Sequence, residues 1–401
     1  MKRLIASLMM GGMMMAGMAQ AETTIQFWTQ EGEADGGFQF VKKLVDGFMA
    51  EHADIKIDLV TKDTEVLRED YQTSSLAGNA PDLIWTVSDH AGPFTKAGLI
   101  QPIDDLFDMS VFVESAVSGV KLDGKTWGVP VANGNHLMLM YNKALLPEAP
   151  KNTDEMIAKA KELTKDGQYG LVYNQIEPFW MVPWLGGFGG KVFAEDGVTP
   201  ALNSPEMVAT LKFLNGLKFT EKVIPSESDY AGADTLFKEG KAAMIINGDW
   251  SLGDYKKVLG DKFATAAMPM VSSTQKWPAS YTSGKFFMIS AGVADAELEA
   301  VMAFVDYATN MDNQIDIIKT LSRLPARKDA LASEAVTSDP ILAGSADQMA
   351  KGTPMPIVLQ MRCNWDAMKP ELNAVMANQK SPEDAALAMQ KSAESCVATM
   401  K

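Results

Sequence analysis

Tryptophan is the residue type in this sequence that points most directly to chemistry. Six of the eight tryptophans lie at predicted strand ends or in predicted loops: Trp28, Trp85, Trp180, Trp184, Trp250 and Trp365. Several adjoin carboxylates or amides, as Trp250 follows Asp249. A sugar requires this combination, because its apolar C–H face stacks on a ring while its hydroxyls need hydrogen-bonding partners. A single tryptophan is more often a core residue, so the prediction of a sugar site depends on their number and position.

The stretch KAAMIINGDW, residues 241–250, indicates how one ring is placed. Its apolar run, 242–246, predicts a buried strand. Asn247-Gly248-Asp249 predicts the turn that ends the strand, and Trp250 follows directly. In open α/β sheets the carboxyl ends of strands face the ligand crevice. Trp250 is therefore predicted at the edge of such a crevice.

Alternating strand and helix patterns supply the framework that positions these rings. The N-terminal part predicts, in order, strand 24–28, helix 38–50, strand 55–60, helix 64–77 and strand 83–87. This order favours a parallel or mixed sheet covered by helices. Further strands are predicted at 125–131 and 136–142. Helices are predicted to begin at Asn152, Ser204 and Ser381, whose side chains can cap a helix N-terminus. No repeat or long linker interrupts the pattern, which favours two lobes tied by several crossing strands.

Competing chemistries find little support. The three histidines (His52, His90 and His136) and two cysteines lack the clustering that a zinc or haem site needs. There is no G-x-S-x-G motif, and GGFGG at 186–190 lacks the Lys-Ser/Thr of a phosphate-binding loop. A secreted glycoside hydrolase stays open, because it needs only two carboxylates about 5–10 Å apart. The chain has 51 acidic residues, and nothing marks out such a pair.

The first 21 residues have the pattern of a secretory signal peptide. Lys2 and Arg3 precede an uncharged run, 4–18, and Ala19-Gln20-Ala21 predicts cleavage after Ala21. The run is shorter than the roughly 18–20 residues of a membrane span, and no cysteine near the cut predicts a lipid anchor. Cleavage would leave 380 of the 401 residues, enough for two or three domains. Losing two basic residues would move the net charge from −15 to −17, which disfavours nucleic acid and anionic membranes as partners.

The only cysteines in the chain are Cys363 and Cys396. In an exported protein an isolated pair favours a disulfide over two reduced, buried thiols. The final Ala-rich helix carries Cys396, so the bridge would tie that helix to the body of the protein.

Four segments, taken in order, resemble one family. They are PDLIWTVSDHAGPFTKAGLIQPIDD (81–105), GKTWGVPVANGNHLMLMYNKALLPEAPK (124–151), SDYAGADTLFKEGKAAMIINGDW (228–250) and GTPMPIVLQMRCNW (352–365). The chain resembles the periplasmic solute-binding proteins of ABC importers, most closely the maltose/maltodextrin-binding branch. The resemblance covers nearly all of the chain after residue 21. It implies a type II periplasmic binding fold of class α/β, with a ligand cleft between two lobes joined by a multi-strand hinge.

The resemblance also implies where the lobes divide and which residues bind the ligand. One lobe would hold 22–131 plus 270–328, and the other 132–269 plus 329–401. The residues that match sugar-contacting positions are Trp250, Tyr230, Trp365, Phe179, Glu177 and Asp89, and Trp180 belongs to the same aromatic group.

The sequence departs from the family pattern at three places. Thr86 stands where a tryptophan is expected three residues before Asp89, although Trp85 is adjacent. Asn135 replaces an expected acidic residue, which removes a charged acceptor, and charged hydrogen bonds are the stronger ones. Acidic EGEADGG replaces an Asp-Lys pair after the first strand, so the resemblance gives that role to Glu31 or Glu33.

The expected function is therefore capture of a sugar, an oligosaccharide or α-glucoside, in the periplasm. Delivery to an inner-membrane ABC permease would follow, and a monomer without cofactor, metal or catalytic activity is expected. Lobe closure would matter, because a ligand shifts a conformational equilibrium only through its extra contacts in one state. Three alternatives stay open: the same fold binding a polyamine, a secreted glycoside hydrolase and, last, a structural or adhesive exported protein.

Overall fold

The computed structural model describes residues 22–33 and 36–400. The predicted signal peptide, 1–21, lies outside the described residues. Two β-sheets form the framework of the molecule, and each has apolar clusters on both of its faces. We call the larger sheet and its helices the first lobe, and the smaller sheet and its helices the second lobe.

The strands are short and mostly buried. In chain order they are β1 (Thr23–Thr29), β2 (Ile55–Thr61), β3 (Leu83–Val87), β4 (Lys121–Leu122), β5 (Lys125–Thr126), β6 (Val129–Gly134), β7 (Leu137–Asn142), β8 (Tyr169–Tyr173), β9 (Ala242–Gly248), β10 (Phe263–Ala266), β11 (Tyr281–Ile289), β12 (Leu324–Pro325) and β13 (Thr353–Pro354). β3 and β9 are buried at every position, as their continuous apolar runs predict.

The helices cover these strands. They are α1 (Gly37–Glu51), α2 (Thr64–Leu76), α3 (Ala91–Lys96), α4 (Glu114–Ser118), α5 (Thr153–Leu163), α6 (Pro178–Phe188), α7 (Pro205–Phe219), α8 (Tyr230–Lys238), α9 (Leu252–Leu259), α10 (Asp295–Ala308), α11 (Met311–Leu321), α12 (Lys328–Leu331), α13 (Glu334–Thr337), α14 (Pro340–Met349), α15 (Gln360–Met376) and α16 (Pro382–Thr399). The predicted N-caps are confirmed, since the side chains of Asn152, Ser204 and Ser381 each accept a backbone N–H of the helix that follows.

The larger sheet is mixed, with strand order β12-β6-β11-β3-β1-β2 and β13 paired to β11. β1 runs parallel to β2 and β3, whereas β11 runs antiparallel to β3 and β6. The smaller sheet has the order β10-β7-β9-β8. The early strands and helices predicted from the sequence are confirmed within a residue or so at each end. The strand predicted at 125–131 is instead split into β5 and β6.

Between β6 and α14 the chain passes from one lobe to the other three times. The first passage is short, because β6 belongs to the larger sheet, β7 to the smaller one, and only Asn135 and His136 separate them. The second joins β10 to β11, and the third leads from β12 to α14, which packs on β10. Three adjacent crossings form a hinge, which agrees with the prediction of lobes tied by several crossing strands.

The predicted placement of the tryptophans in loops is wrong for three of them. Trp180 and Trp184 lie in α6, and Trp365 lies in α15. α6 contains two prolines and two glycines, which made a loop the natural interpretation. Pro178 stands at the first helical position, where its missing N–H costs nothing, and eight of the eleven residues are buried. Burial of α6 in the second lobe therefore stabilises a helix where the local sequence predicted a loop.

Candidate functional site

Trp250 lies where the smaller sheet meets the gap between the lobes. β9 ends at Gly248, and one 3-10 turn, Asp249–Ser251, carries the partly buried indole. A Cβ atom on Gly248 would lie 2.1 Å from this indole, so glycine is required for the ring to fold back over the strand end. The indole Nε1 donates a hydrogen bond to the Tyr230 hydroxyl at 3.0 Å. The ring is thus fixed by its edge.

Four partly buried rings of the second lobe form one surface, here called the aromatic wall: Tyr230, Trp250, Phe179 and Trp365. The Phe179 ring centroid lies 6.2 Å from that of Trp250 and 6.3 Å from that of Trp365. α8, the turn after β9, α6 and α15 each supply one ring. Residues from four separate segments of the sequence therefore meet at the gap between the lobes.

Trp180 lies behind the aromatic wall. Its side chain is 7% exposed, and its Nε1 donates to the Ile246 carbonyl at 2.9 Å. Its ring centroid lies 6.0 Å from that of Trp250 and 6.1 Å from that of Tyr230, edge-on in both cases. Trp180 therefore supports these two rings from behind and does not line the gap between the lobes.

Asp89 faces the aromatic wall from the first lobe. It follows β3, in the 3-10 turn Ser88–His90, and lines one small cavity together with Trp365. Burial, together with the negative charge of Glu65, raises the pKa of Asp89 to about 6. The predicted acceptor and the predicted aromatic ring thus meet across the gap, one from each lobe.

Glu31 is engaged in a buried ion pair. The Arg323 Nη1 donates to Glu31 Oε2 at 2.8 Å, and the two side chains are 1% and 2% exposed. Burial by itself would raise the pKa of Glu31, but the charges of Arg323 and Lys285 outweigh it and hold that pKa below its usual value. Arg323 also donates to the Trp250 carbonyl at 3.3 Å. Glu31 therefore helps to hold Trp250 through Arg323. The sequence did not indicate this indirect role. Glu33, the alternative candidate, is exposed.

Asn135 occupies the first passage between the lobes. Its φ of 51° is left-handed, a conformation that asparagine tolerates better than most residues. Its backbone N–H donates to Asp249 Oδ2 at 3.0 Å, and its Nδ2 donates to Ser283 Oγ at 3.3 Å. Gly134 has a φ of 143°, and a Cβ there would lie 2.2 Å from the same carboxylate oxygen. Asparagine at this position thus suits the backbone of the hinge.

Glu177 immediately precedes α6 and forms an ion pair with Lys369 of α15. The carboxylate side chain is 35% exposed, so it keeps contact with solvent beside the aromatic wall. The pair joins the helix that carries Phe179 to the helix that carries Trp365. Its position is compatible with the predicted acceptor role.

Thr86, which stands where the family pattern has a tryptophan, is a buried residue of the first lobe. Thr86 is fully buried, donates to Gln30 Oε1 at 2.9 Å and lies 2.7 Å from His90 Nδ1. Trp85 does not replace the expected ring, because it is 1% exposed and packs edge-on against Phe287 in the core. Burial lowers the pKa of His90 to about 3, so the His90 imidazole is uncharged at neutral pH.

Three charged residues of the gap escaped the sequence analysis: Lys285, Glu65 and Arg362. Lys285 Nζ lies 5.7 Å from the centroid of the Trp250 ring. Arg362 Nη1 lies 2.6 Å from Glu65 Oε2, which joins α15 of the second lobe to α2 of the first. One signal was available for Lys285, because a lysine inside the apolar strand sequence YTSGKFFMI is unusual. Nothing local distinguishes Glu65 or Arg362 from other surface charges.

The predicted disulfide is present. Cys363 and Cys396 are bonded, with their Cα atoms 5.6 Å apart, and the bridge joins α15 to α16. Among residues 22–33 and 36–400, no group of three or more His, Cys, Asp or Glu side chains is arranged to hold a metal ion. No helix in the same part of the chain has the length and apolar character of a membrane span.

Comparisons with known proteins agree with this architecture. Residues 43–344 match the bacterial extracellular solute-binding protein family. The maltotriose-binding protein of Pyrococcus abyssi is 25% identical over 375 residues, which cover 88% of this chain and 80% of the relative. The maltodextrin-binding protein MdxE of Bacillus subtilis is 25% identical, with 87% and 85% covered.

Solved structures extend the similarity to the whole fold. The maltose/maltodextrin-binding domain MalE of Bdellovibrio bacteriovorus, bound to maltotriose, is 35% identical with a TM-score of 0.90, and the match covers 94% of this chain and all of that one. The Thermus thermophilus maltotriose binding protein superposes with a TM-score of 0.87 at 23% identity, over 93% of this chain and all of that one. The predicted two-lobed type II periplasmic binding fold is confirmed. This chain belongs to the bacterial extracellular solute-binding proteins.

Proposed function

We propose that this chain is the periplasmic substrate-binding component of an ABC sugar importer, and that it captures a malto-oligosaccharide between its lobes. The observation that carries the proposal is the aromatic wall, which faces Asp89 and Lys285 of the first lobe across the gap. Stacking surfaces on one side and hydrogen-bonding groups on the other are the two requirements of a pyranose.

The proposed ligand contacts follow from this arrangement. Tyr230, Trp250, Phe179 and Trp365 would stack on successive sugar rings, while Asp89 and Glu177 would accept hydroxyl protons. Glu31, Asn135 and Trp180 would act indirectly, since each is buried and bonded within the protein. Relatives support an α-linked glucan, because the P. abyssi protein is named for maltotriose and the B. bacteriovorus structure contains it.

The conformation supports a capture mechanism by closure. The lobes meet around the small cavity that Trp365 and Asp89 share, at the Arg362–Glu65 ion pair and where Gly92 approaches Ile357. A sugar between the lobes would add contacts to both sides of the closed state, which is the only way a ligand shifts such an equilibrium. An inner-membrane permease could then distinguish loaded from empty protein.

Several finer points belong to the same proposal. The exported protein would begin after Ala21, act as a monomer and catalyse no reaction. The lobes would divide as 22–131 plus 270–328 and 132–269 plus 329–401. Two contacts lie near these boundaries: residues 132–134 pair with β11 of the larger sheet, and the Ala279 N–H donates to the Pro183 carbonyl.

Titration of intrinsic tryptophan fluorescence tests the proposal. The mature chain should show a saturable change with maltotriose, and none with spermidine or with the β-linked trisaccharide cellotriose. Incubation with maltotriose should release no glucose, which separates a binding protein from a glycoside hydrolase. Saturation by spermidine alone, or hydrolysis of the sugar, would replace the proposal with one of the alternatives.

A further inference from the structure

Lys285 is placed at the gap by an irregularity in the middle of β11. The register of β11 against β6 shifts between Lys285 and Phe286, and such a bulge re-aims the side chains beside it. Gly284 has a φ of 157°, and a Cβ there would lie 2.4 Å from the Ala132 carbonyl oxygen. This glycine therefore lets β11 approach β6 closely just before Lys285. Gly284 and the bulge together therefore set the position of the Lys285 side chain.

The ammonium group of Lys285 is largely buried and lies near a carboxylate. The residue is 7% exposed, and its charge acts on Glu31, the carboxylate that also binds Arg323. His90, on the neighbouring turn, is neutral and so does not repel it. Burying a lysine in this way is costly, so a buried charge at a ligand gap is a functional candidate.

The same ammonium faces the ring proposed to stack on sugar. Its Nζ lies 5.7 Å from the Trp250 centroid, with the lysine on the first lobe and the indole on the second. A sugar stacked at about 3.5–4.0 Å from the indole, and hydrogen-bonded to Nζ at about 2.8 Å, needs a separation of about 6.5 Å. A pyranose would thus fit between the two groups once they part by about 1 Å.

We propose that Lys285 is a ligand contact of this protein, which holds one pyranose against Trp250 by donating to its hydroxyl oxygens. This inference rests on the proposed sugar-binding function and deepens it. An ammonium group has three donors and no acceptor. It therefore selects a sugar whose hydroxyl oxygens lie on the face opposite the indole.

Titration of the Lys285→Met variant with maltotriose tests the inference. Loss of one charge-assisted hydrogen bond should weaken binding about tenfold to a hundredfold. Lys351→Met is the matched control, because Lys351 lies over the Trp277 ring at 4.8 Å without belonging to the aromatic wall, and it should bind like wild type. If Lys285→Met does not fold, Lys285→Gln provides the same loss of charge with a polar side chain.

Monodeoxy analogues of maltotriose distinguish a contact from a structural role. Wild type should lose affinity when the hydroxyl that Lys285 binds is removed, and the variant should no longer respond to that removal. Unchanged affinity in the variants, or an equal response of wild type and variant to every deoxy sugar, would overturn the inference. Failure of wild type to bind maltotriose at all would instead contradict the proposed function.

Discussion

Arg362 of the second lobe and Glu65 of the first lobe form an ion pair across the gap, with Nη1 and Oε2 2.6 Å apart. Arg362 also contacts Asp366 one turn later, and Glu65 also contacts Arg68 on its own helix. A chain of charges therefore links α15 to α2. Only the Arg362–Glu65 pair crosses between the lobes, so its free energy favours the arrangement in which the lobes touch rather than the folding of either lobe.

Replacing Arg362 by glutamine should weaken maltotriose binding modestly. The side chains of Arg362 and Glu65 are 30% and 57% exposed, and such pairs contribute about 0.2–1 kcal/mol. We expect a dissociation constant up to about fivefold higher by calorimetry at low salt, and a smaller difference at about 1 M salt because of screening. Arg327→Gln is the control, since its partner Asp329 lies two residues away. Equal affinity of Arg362→Gln and wild type at both salt concentrations would contradict this role.

Replacing Trp250 by alanine should remove affinity without unfolding the protein. Loss of stacking of about 1–4 kcal/mol corresponds to a complex about fivefold to a thousandfold weaker. The control is Trp184→Ala, because Trp184 is fully buried in the core of the second lobe and should cost about 3–5 kcal/mol of unfolding free energy. Titration and urea unfolding of both variants measure the two effects. If Trp250→Ala binds normally, or is as unstable as Trp184→Ala, Trp250 is a core residue.

Replacing Gly92 by valine should hold the lobes apart. A Cβ atom on Gly92, in α3 of the first lobe, would lie 1.9 Å from the Ile357 carbonyl oxygen of the second lobe. The radius of gyration of the sugar-saturated protein, measured by small-angle scattering, should therefore stay larger than that of wild type. Gly216→Ala is the control, since nothing lies within 4 Å of its Cβ position and closure should be normal. A wild-type degree of compaction in Gly92→Val would rule out this contact as a closure limit.

Asp89 should make stability depend on pH in a defined direction. Its pKa is about 6 in the folded protein and about 3.8 in the unfolded chain, so the folded state binds more protons between these values. The contribution of Asp89 to the unfolding free energy therefore falls as pH rises from about 4 through about 6. Urea unfolding at pH 5 and pH 7.5 should show that wild type loses more stability than Asp89→Asn over this interval. Parallel losses in the two proteins would refute the assignment.

The local patterns of the sequence determined much of this protein. Alternation of apolar runs and amphipathic segments predicted the strands and helices of the first lobe, because burial on a sheet imposes short apolar runs. The turn after β9 placed Trp250 at a strand end, and the pair of cysteines predicted the disulfide. These features depend on residues close in sequence or on composition, so no knowledge of packing was needed.

Tertiary structure decided the partners of each side chain. Glu31 meets Arg323 over 292 residues of sequence, and Lys285 reaches Trp250 from the other lobe. Trp180 lies in a helix that local propensity does not favour, and it packs behind the aromatic wall rather than forming part of it. Charge and ring contacts depend on distances of a few ångströms between segments far apart in the chain. Residue types alone therefore identify the kind of ligand, whereas the packing of the two lobes decides which of those residues can touch it.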